Sequence, residues 1–384
     1  MAWLRSRKDK KLEREVGERE YVSRSQGEMI WRAFRRHRVG NVGTVIVILL
    51  ALGAIFAEFV APYHYATQFR QHSYAPPSRL HFRSEAGFTL RPFVYNVVRS
   101  FDPTTYQALF EEDTSKRYYM RFFVRAEEYR LLGLFKTNVH LFGAVAEDGT
   151  TAPMFLFGTD QFGRDLFSRT MIGGRISLAV GPLVILFSMP IAVVMGGLSG
   201  FYGGGMDMFL QRVGEVFMAV PGLPILLAMG AALGGLGLSS TQVFLGIIIA
   251  LSLISWAGTA RVIRGQVLAI REMEFVYAAK AVGSRDLRII LRHITPNVFS
   301  YLIVSATLLI PGMMLTEAAL SFLGYGIREP MTSWGQLLNA ATNIGGIEQH
   351  PWMLIPGVFI VIGVLAFNFM GDALRDAVDP YSIV

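Results

Sequence analysis

Apolar runs long enough to cross a bilayer recur along this 384-residue chain, separated by stretches in which charge returns. A hydrocarbon core about 30 Å thick takes about 20 apolar residues in a helix. Val39–Pro62, Ile172–Phe201, Met208–Leu233, Val243–Val262, Val298–Leu323 and Trp352–Met370 meet that length, so six transmembrane helices are expected. Glycine and proline recur inside them, as at Met189-Pro190 and Pro221-Gly222-Leu223-Pro224. Membrane helices tolerate both because neighbouring helices satisfy the backbone groups they free.

Between the first two runs the pattern changes. Residues 63–157 are too long for a simple connection, and loops of that size usually have structure or a role. Asp102-Pro103, followed by Thr-Thr-Tyr-Gln-Ala-Leu-Phe, has the form of an N-cap, a first-turn proline and a short helix. Tyr118–Arg125 and Val139–Val145, rich in aromatic and β-branched residues, read as strands. The expected fold is therefore an all-α polytopic membrane protein with a small inserted α+β domain. Its divisions fall at 1–38, 39–62, 63–157 and 158–384. The insertion is either a cap packed on the helices or a docking and gating surface.

Composition and charge orient this arrangement. Apolar residues make up 52% and charged residues 17%, against roughly 25% charged in soluble proteins, so much of the chain must face lipid. Arg32, Arg35, Arg36 and Arg38 precede the first run, which places the N-terminus in the cytoplasm. Six crossings then bring the C-terminus, and the basic stretch after the fourth run, to the same side. The net charge of +7 is accounted for by this flanking placement and carries no nucleic-acid signal. Residues 1–38 lack the form of a cleavable signal, and Met29–Arg38, with Trp31 and Phe34 beside a basic face, reads as an interfacial helix. There are no cysteines, so disulfides and thiolate chemistry are excluded.

The stretch 271–297 has its own periodicity. Phe275, Ala278, Ala279 and Val282 form an i, i+3, i+4, i+7 stripe. Gly283 stands where a helix end wants a left-handed residue, and Ser284 can cap a second helix whose apolar face is Leu287, Ile290, Leu291 and Ile294. Two short helices meeting at a glycine make a compact cytoplasmic projection, whose alanines allow close approach by another protein.

These residues resemble a known family. Phe275, Tyr277 and Ala278-Ala279-Lys280-Ala281-Val282-Gly283, followed by Arg292-His293-Ile294-Thr295-Pro296-Asn297, are similar to the "EAA" loop of binding-protein-dependent ABC importer permeases. Tyr277 stands where that motif often has glutamate, and Thr295 where leucine is usual. Gly158-Thr159-Asp160-Gln-Phe-Gly163-Arg164-Asp165 and Arg175 resemble the entry to the second span in the dipeptide, oligopeptide and nickel class. Gly200–Gly204 with Asp207, Glu317–Gly326, Ser333-Trp334-Gly335 and Gly371–Asp376 with Asp379-Pro380 fit the same class. The resemblance implies the C-type permease of a heterodimer, working with a second permease, two ATP-binding subunits and an extracytoplasmic solute-binding protein. In that family the loop is a coupling helix that enters a cleft of the ATPase. Short peptides are the leading cargo, with oligosaccharides, opine-like compounds and nickel as alternatives.

Three carboxylates in the runs need an account, since charge in a membrane is costly. Glu58 is expected to reach the interface and Glu215 to pair with Arg212. Glu317, deep in the fifth run, is either a helix contact or a pathway residue. No Gly-x4-Gly-Lys-Ser/Thr pattern occurs, so Gly200–Gly205 reads as a tight turn. The histidines show no metal-ligand spacing, and no catalytic constellation or cofactor site is expected, so the chain reads as a permease and not an enzyme. The rival readings are a self-sufficient channel or proton-coupled carrier using Glu215 and Glu317, and a membrane-anchored assembly protein using 63–157. The first leaves 271–297 without a purpose, and the second leaves five spans without one.

Overall fold

The computed structural model describes residues 26–84, 87–104, 108–342 and 348–378. The N-terminal tail and the Asp379-Pro380 motif lie outside them. Helix α1 (Gln26–Arg36) carries Phe34 against Ala373 and Ala377 near the end of the chain, and Trp31 stacks on Phe34 while staying exposed. His37 caps α2 (Arg38–Ile55), its Nδ1 accepting from the Gly40 amide at 3.0 Å, and a single turn, α3 (Ala57–Val60), follows.

Next comes an antiparallel sheet of five strands in sequence order: β1 (His81–Ser84), β2 (Gly87–Phe101), β3 (Ala108–Leu131), β4 (Phe135–Val145) and β5 (Thr151–Ala152). Both expected strands are present inside β3 and β4. The expected helix after Asp102 is not: Asp102 accepts from the Thr104 amide at 2.7 Å, closing a turn, and by Ala108 the chain is a strand. Residues 105–107 lie outside the described residues. An Asx turn and an N-cap use the same local hydrogen bond, and pairing of Phe101 with Ala108 decides between them. The inserted segment is thus β-structured among the described residues, with one 3₁₀ turn at Arg70–His72.

The sheet is fastened to the helices. Val94, Phe142, Ala144 and Met154 bury against Phe167 near the start of α4 (Leu166–Tyr202). His140, almost fully buried, places Nδ1 2.6 Å from the Ala61 carbonyl and Nε2 3.0 Å from that of Glu127.

Beyond α4 lie α5 (Gly204–Ala219), α6 (Gly222–Gly235) and α7 (Ser240–Ile270), the last opened by a capping box of Ser239 and Gln242. Then come α8 (Glu274–Ala281), α9 (Asp286–Ile289), α10 (Phe299–Phe322), α11 (Trp334–Thr342) and α12 (Ile355–Val378). Among the described residues five stretches are long and apolar enough to cross a membrane: Arg38–Ile55, Leu166–Tyr202, Ser240–Ile270, Asp286–Phe322 and Pro351–Val378. The expected third span is instead α5 and α6, bent by 79°. Pro221 has no N–H to continue the ladder and holds Val220 extended at φ −80°, ψ 127°.

The central contact is α4 against α7. A Cβ on Gly196 would lie 2.4 Å from the Ala260 carbonyl oxygen, and one on Gly200 2.7 Å from that of Arg264. Four-residue spacing of glycines is what lets membrane helices approach at backbone distance.

Candidate functional site

The loop after α7 is built on a rigid base. Asp207 accepts from Arg264 Nε and Nη2, both at 2.5 Å, and Arg271 Nη1 donates to the Gly200 carbonyl at 3.1 Å. The Tyr202 hydroxyl donates to Asp286 at 2.9 Å, and the Lys280 ammonium sits 4.7 Å from the centre of the Phe201 ring. Val276, Ile289, Ile290 and Ile294 are fully buried among Ala192, Ile263 and Val267. Burying apolar side chains of this size is worth about 1.5–3 kcal/mol each, so α8 and α9 are held from beneath.

The expected glycine stop is present in detail. Gly283 has φ +78°, the Ser284 amide donates to the Ala279 carbonyl at 3.1 Å, and the Gly283 amide donates to that of Lys280 at 2.9 Å. These are the paired bonds of a Schellman motif. The expected second helix is shorter than its pattern. It gives way to a π turn at Ile290–Ile294 and a 3₁₀ turn at Thr295–Val298, because Pro296 lacks the N–H that would return to Arg292. Arg285, not Ser284, occupies the cap position.

The residues of the two apolar stripes divide between a buried and an exposed side. Val276 is the buried residue of α8, Ala279 is half-buried, and Phe275, Ala278, Ala281 and Val282 face outward. Beyond the glycine, Ile289 replaces Leu287 on the buried side. An eight-residue helix has too few turns for periodicity to choose its inner face. The result is an outward ridge in which Val282 is 85% exposed, with Tyr277, Leu287 and Leu291 about half exposed. Tyr277 donates to Glu272 at 2.5 Å; this bond, with Arg271 beside it, holds the Glu272 carboxyl below its usual range. Arg292 and Pro296 are exposed and His293 is half-buried, its carbonyl accepting from Asn297 Nδ2 at 2.7 Å.

At the other end of α4, the 158–165 motif is an internal clamp. Asp160 Oδ1 accepts from the amides of Phe162 (2.8 Å) and Arg164 (3.0 Å), and Oδ2 from Arg164 Nε (2.7 Å) and Arg169 Nη1 (2.8 Å). Both arginines also reach Glu329 Oε1, at 2.8 and 3.1 Å. Burial alone would raise the Glu329 carboxyl, but the two guanidiniums hold it below its usual value. Asp165 caps α4 by accepting from the Ser168 amide at 2.8 Å. Thr159 accepts from the Ala75 amide at 2.8 Å, and its carbonyl accepts from Trp352 Nε1 at 3.2 Å. Gly158 (φ +73°) packs against Ala75 and Trp352, and Gly163 (φ +71°) against the Phe69 carbonyl. Thr159, Asp160, Arg164, Asp165 and Arg169 are all buried.

Arg175, on α4, supplies Glu58 with a partner: its guanidinium donates to the carbonyls of Ala54 (2.7 Å) and Ile55 (2.8 Å) at the end of α2 and pairs with the Glu58 carboxylate. Glu215 pairs with Arg212 at 2.9 Å on an exposed face, as its spacing predicts. Glu317 is completely buried; Oε1 accepts from Ser321 Oγ at 2.6 Å, and the same hydroxyl accepts from the Ile327 amide. Those bonds tie α10 to the chain that follows it. Among the described residues no cluster of three metal-ligating side chains occurs.

Sequence reasoning missed Arg169 and Glu329, which are 160 positions apart and have no local signal. It also missed the pairing of Asp207 with Arg264, although the turn after Gly200–Gly204 placed one partner.

Two family models match. Residues 188–382 match the binding-protein-dependent transport system inner membrane component, and residues 25–77 the N-terminal TM domain of oligopeptide transport permease C. The oligopeptide transport system permease protein OppC of Haemophilus influenzae is 44% identical over 225 residues, 58% of this chain and 70% of that one. OppC of Bacillus subtilis is 29% identical over 370 residues, 95% of this chain and 94% of that one. The dipeptide permease DppC of Bacillus subtilis is 42% identical over 228 residues, 58% of this chain and 68% of that one. Among solved structures, an inward-facing form of the MetNI methionine ABC transporter is similar at 20% identity, covering 54% of this chain and 94% of that one, with a TM-score of 0.43. With five apolar stretches of spanning length among the described residues and more than half of the chain matched by one family model, this protein belongs to the inner membrane components of binding-protein-dependent transport systems.

Proposed function

We propose that this chain forms half of a peptide-conducting pathway, paired with a second permease of the same class. Two ATP-binding subunits drive it and an extracytoplasmic solute-binding protein supplies it. The peptide cargo follows from its relatives, which are named for oligopeptide and dipeptide transport. In this reading the bent α5–α6 pair is one span, making six, and both termini lie in the cytoplasm. Residues 63–157 form an extracytoplasmic domain, and 271–297 is the surface on which an ATP-binding subunit docks.

The observation that carries the reading is the ridge of Tyr277, Val282, Leu287 and Leu291, exposed on a fully packed base. Exposed apolar ridges rimmed by charge are interaction surfaces. Lys280, Arg285, Arg288 and Arg292 supply the rim. A partner gripping the ridge moves α8 and α9 as one body with the α4–α7 core, so ATP-driven closure would be transmitted between two global states.

The test is affinity purification of the tagged chain from native membranes, as wild type and as Val282→Asp. Wild type should bring down an ATP-binding protein and a second permease. Val282→Asp, which puts a charge on the ridge without touching the base, should keep the permease and lose the ATP-binding protein. A wild-type chain recovered alone and stable would overturn the proposal.

A further inference from the structure

The hairpin between β3 and β4 breaks two local rules at once. Its turn reads Leu131-Leu132-Gly133-Leu134-Phe135: Gly133 (φ +74°) takes one left-handed position as hairpin loops prefer, but leucine stands on either side of it where Asn, Asp or Gly is usual. Leu132 is held at φ +52°, a left-handed conformation that costs a side chain of this size about 1–2 kcal/mol. The same residues are exposed: Leu134 by 75% and Phe135 by 67%, with Leu132 about half exposed. A strained, apolar, exposed turn is destabilised twice over in water. Local rules fail in this way where function overrides them.

Position supplies the reason. Leu132 lines a groove of about 510 Å³ together with Ala51 and Ile55 of α2 and Leu178 and Ala179 of α4. Leu178 lies twelve residues into α4, about 18 Å along its axis from Leu166. The turn therefore hangs well below the point where α4 begins, beside helices whose outer faces (Ile48, Leu49, Leu52 and Ile55 on α2) are exposed and apolar. Directly behind the turn, Arg130 and Lys136 are cross-strand partners, both exposed. Apolar side chains at the end and two cations one step behind make the amphipathic order of an interfacial anchor, with the basic pair at headgroup level.

We propose that the β3–β4 turn is a membrane anchor, with Leu132, Leu134 and Phe135 among the acyl chains of the leaflet facing the sheet. It gives the 63–157 segment a second attachment to the bilayer besides α2, fixing the sheet's tilt over the helices. The proposal rests on α2 and α4 being spans and is independent of the importer's cargo and partners.

The chain has no cysteines, so single sites can be labelled in the full-length protein. L134C and F135C, each carrying an environment-sensitive fluorophore, would be placed in nanodiscs of phosphatidylethanolamine and phosphatidylglycerol. L109C, at the opposite end of the same strand and exposed, is the aqueous reference. Labels seated roughly 5–10 Å into the leaflet should be quenched by lipids brominated on the acyl chain and shielded from aqueous iodide by about tenfold relative to L109C. Iodide reaching the turn as freely as Leu109 would overturn the anchor. So would shielding from both quenchers, which would assign the turn to a protein contact. The readout needs neither transport nor partners, so failure of the importer reading leaves it standing.

Discussion

The two ends of α4 carry motifs of similar charge density, and they treat that charge in opposite ways. At the 158–169 end, Asp160, Arg164 and Arg169 are buried and bonded to one another, to Glu329 and to backbone amides. At the 271–297 end the polar bonds lie beneath and the apolar side chains point away. The first arrangement can only hold structure together. The second offers free energy to whatever covers it. Family resemblance marks both motifs equally, and burial is what separates a clamp from a docking face.

The largest effect that would break this comparison is at Asp160. Asp160→Ala leaves two buried guanidiniums with only Glu329 between them, and removing one partner of a buried ion pair costs about 3–5 kcal/mol. Thermal unfolding of the purified protein should show a pronounced loss of stability or no folded protein at all. Wild-type stability in that variant would mean that the cluster is no clamp.

Glycine substitutions sharpen the contrast because two sites share a conformation and differ in surroundings. Gly163 and Gly283 have φ of +71° and +78°. A Cβ at Gly163 would sit 2.1 Å from the Phe69 carbonyl oxygen, whereas one at Gly283 meets nothing within 4 Å. Gly283→Ala should cost only the conformational strain, about 1 kcal/mol. Gly163→Ala should cost several times as much, since backbone must move. Equal losses in the two unfolding curves would show that the 158–165 turn is looser than its packing implies.

The proposed docking ridge predicts a separation of stability from assembly. Val276→Ala empties a fully buried site and should lower stability by roughly 1–2 kcal/mol. Val282→Ala should stay within about 0.5 kcal/mol of wild type while weakening recovery of the ATP-binding subunit. A Val282 variant that is destabilised but assembles normally would reverse the assignment of the two faces.

Much of this was legible in the chain's hydrophobic pattern, and the failures have identifiable causes. Apolar runs gave the helices because length and hydropathy are local, and Gly283 gave its own turn because φ > 0 is a local demand. Pro221 lay in plain view inside the third run, but whether a proline kinks a span or breaks it depends on neighbouring helices. The inner face of α8 could not be read because its eight residues take their orientation from Ala192 and Ile263, which are distant in sequence. The Asp160 clamp draws on Glu329, which no spacing rule connects to it. The Gly196–Gly200 spacing, by contrast, was an available signal for the α4–α7 contact.

A pH dependence at Asp165 sharpens the reading of the clamp as enclosed. Burial, with Asp160 adding its charge, pushes the Asp165 carboxyl up to about 7. In the window between the usual carboxylate range and pH 7, the native state keeps a proton that the unfolded chain has released. Its contribution to stability is therefore fully present in acid and is lost as pH rises through about 7, the sign required when the native state binds more protons. Asp165→Asn fixes the uncharged form and retains an acceptor for the Ser168 amide, since asparagine caps helices nearly as well as aspartate. The variant should differ little from wild type at low pH and gain an advantage above neutrality, seen as a flatter plot of unfolding temperature against pH. Parallel plots for the two proteins would mean that water reaches Asp165, and the 158–169 end would then resemble the 271–297 end more closely than its buried side chains allow.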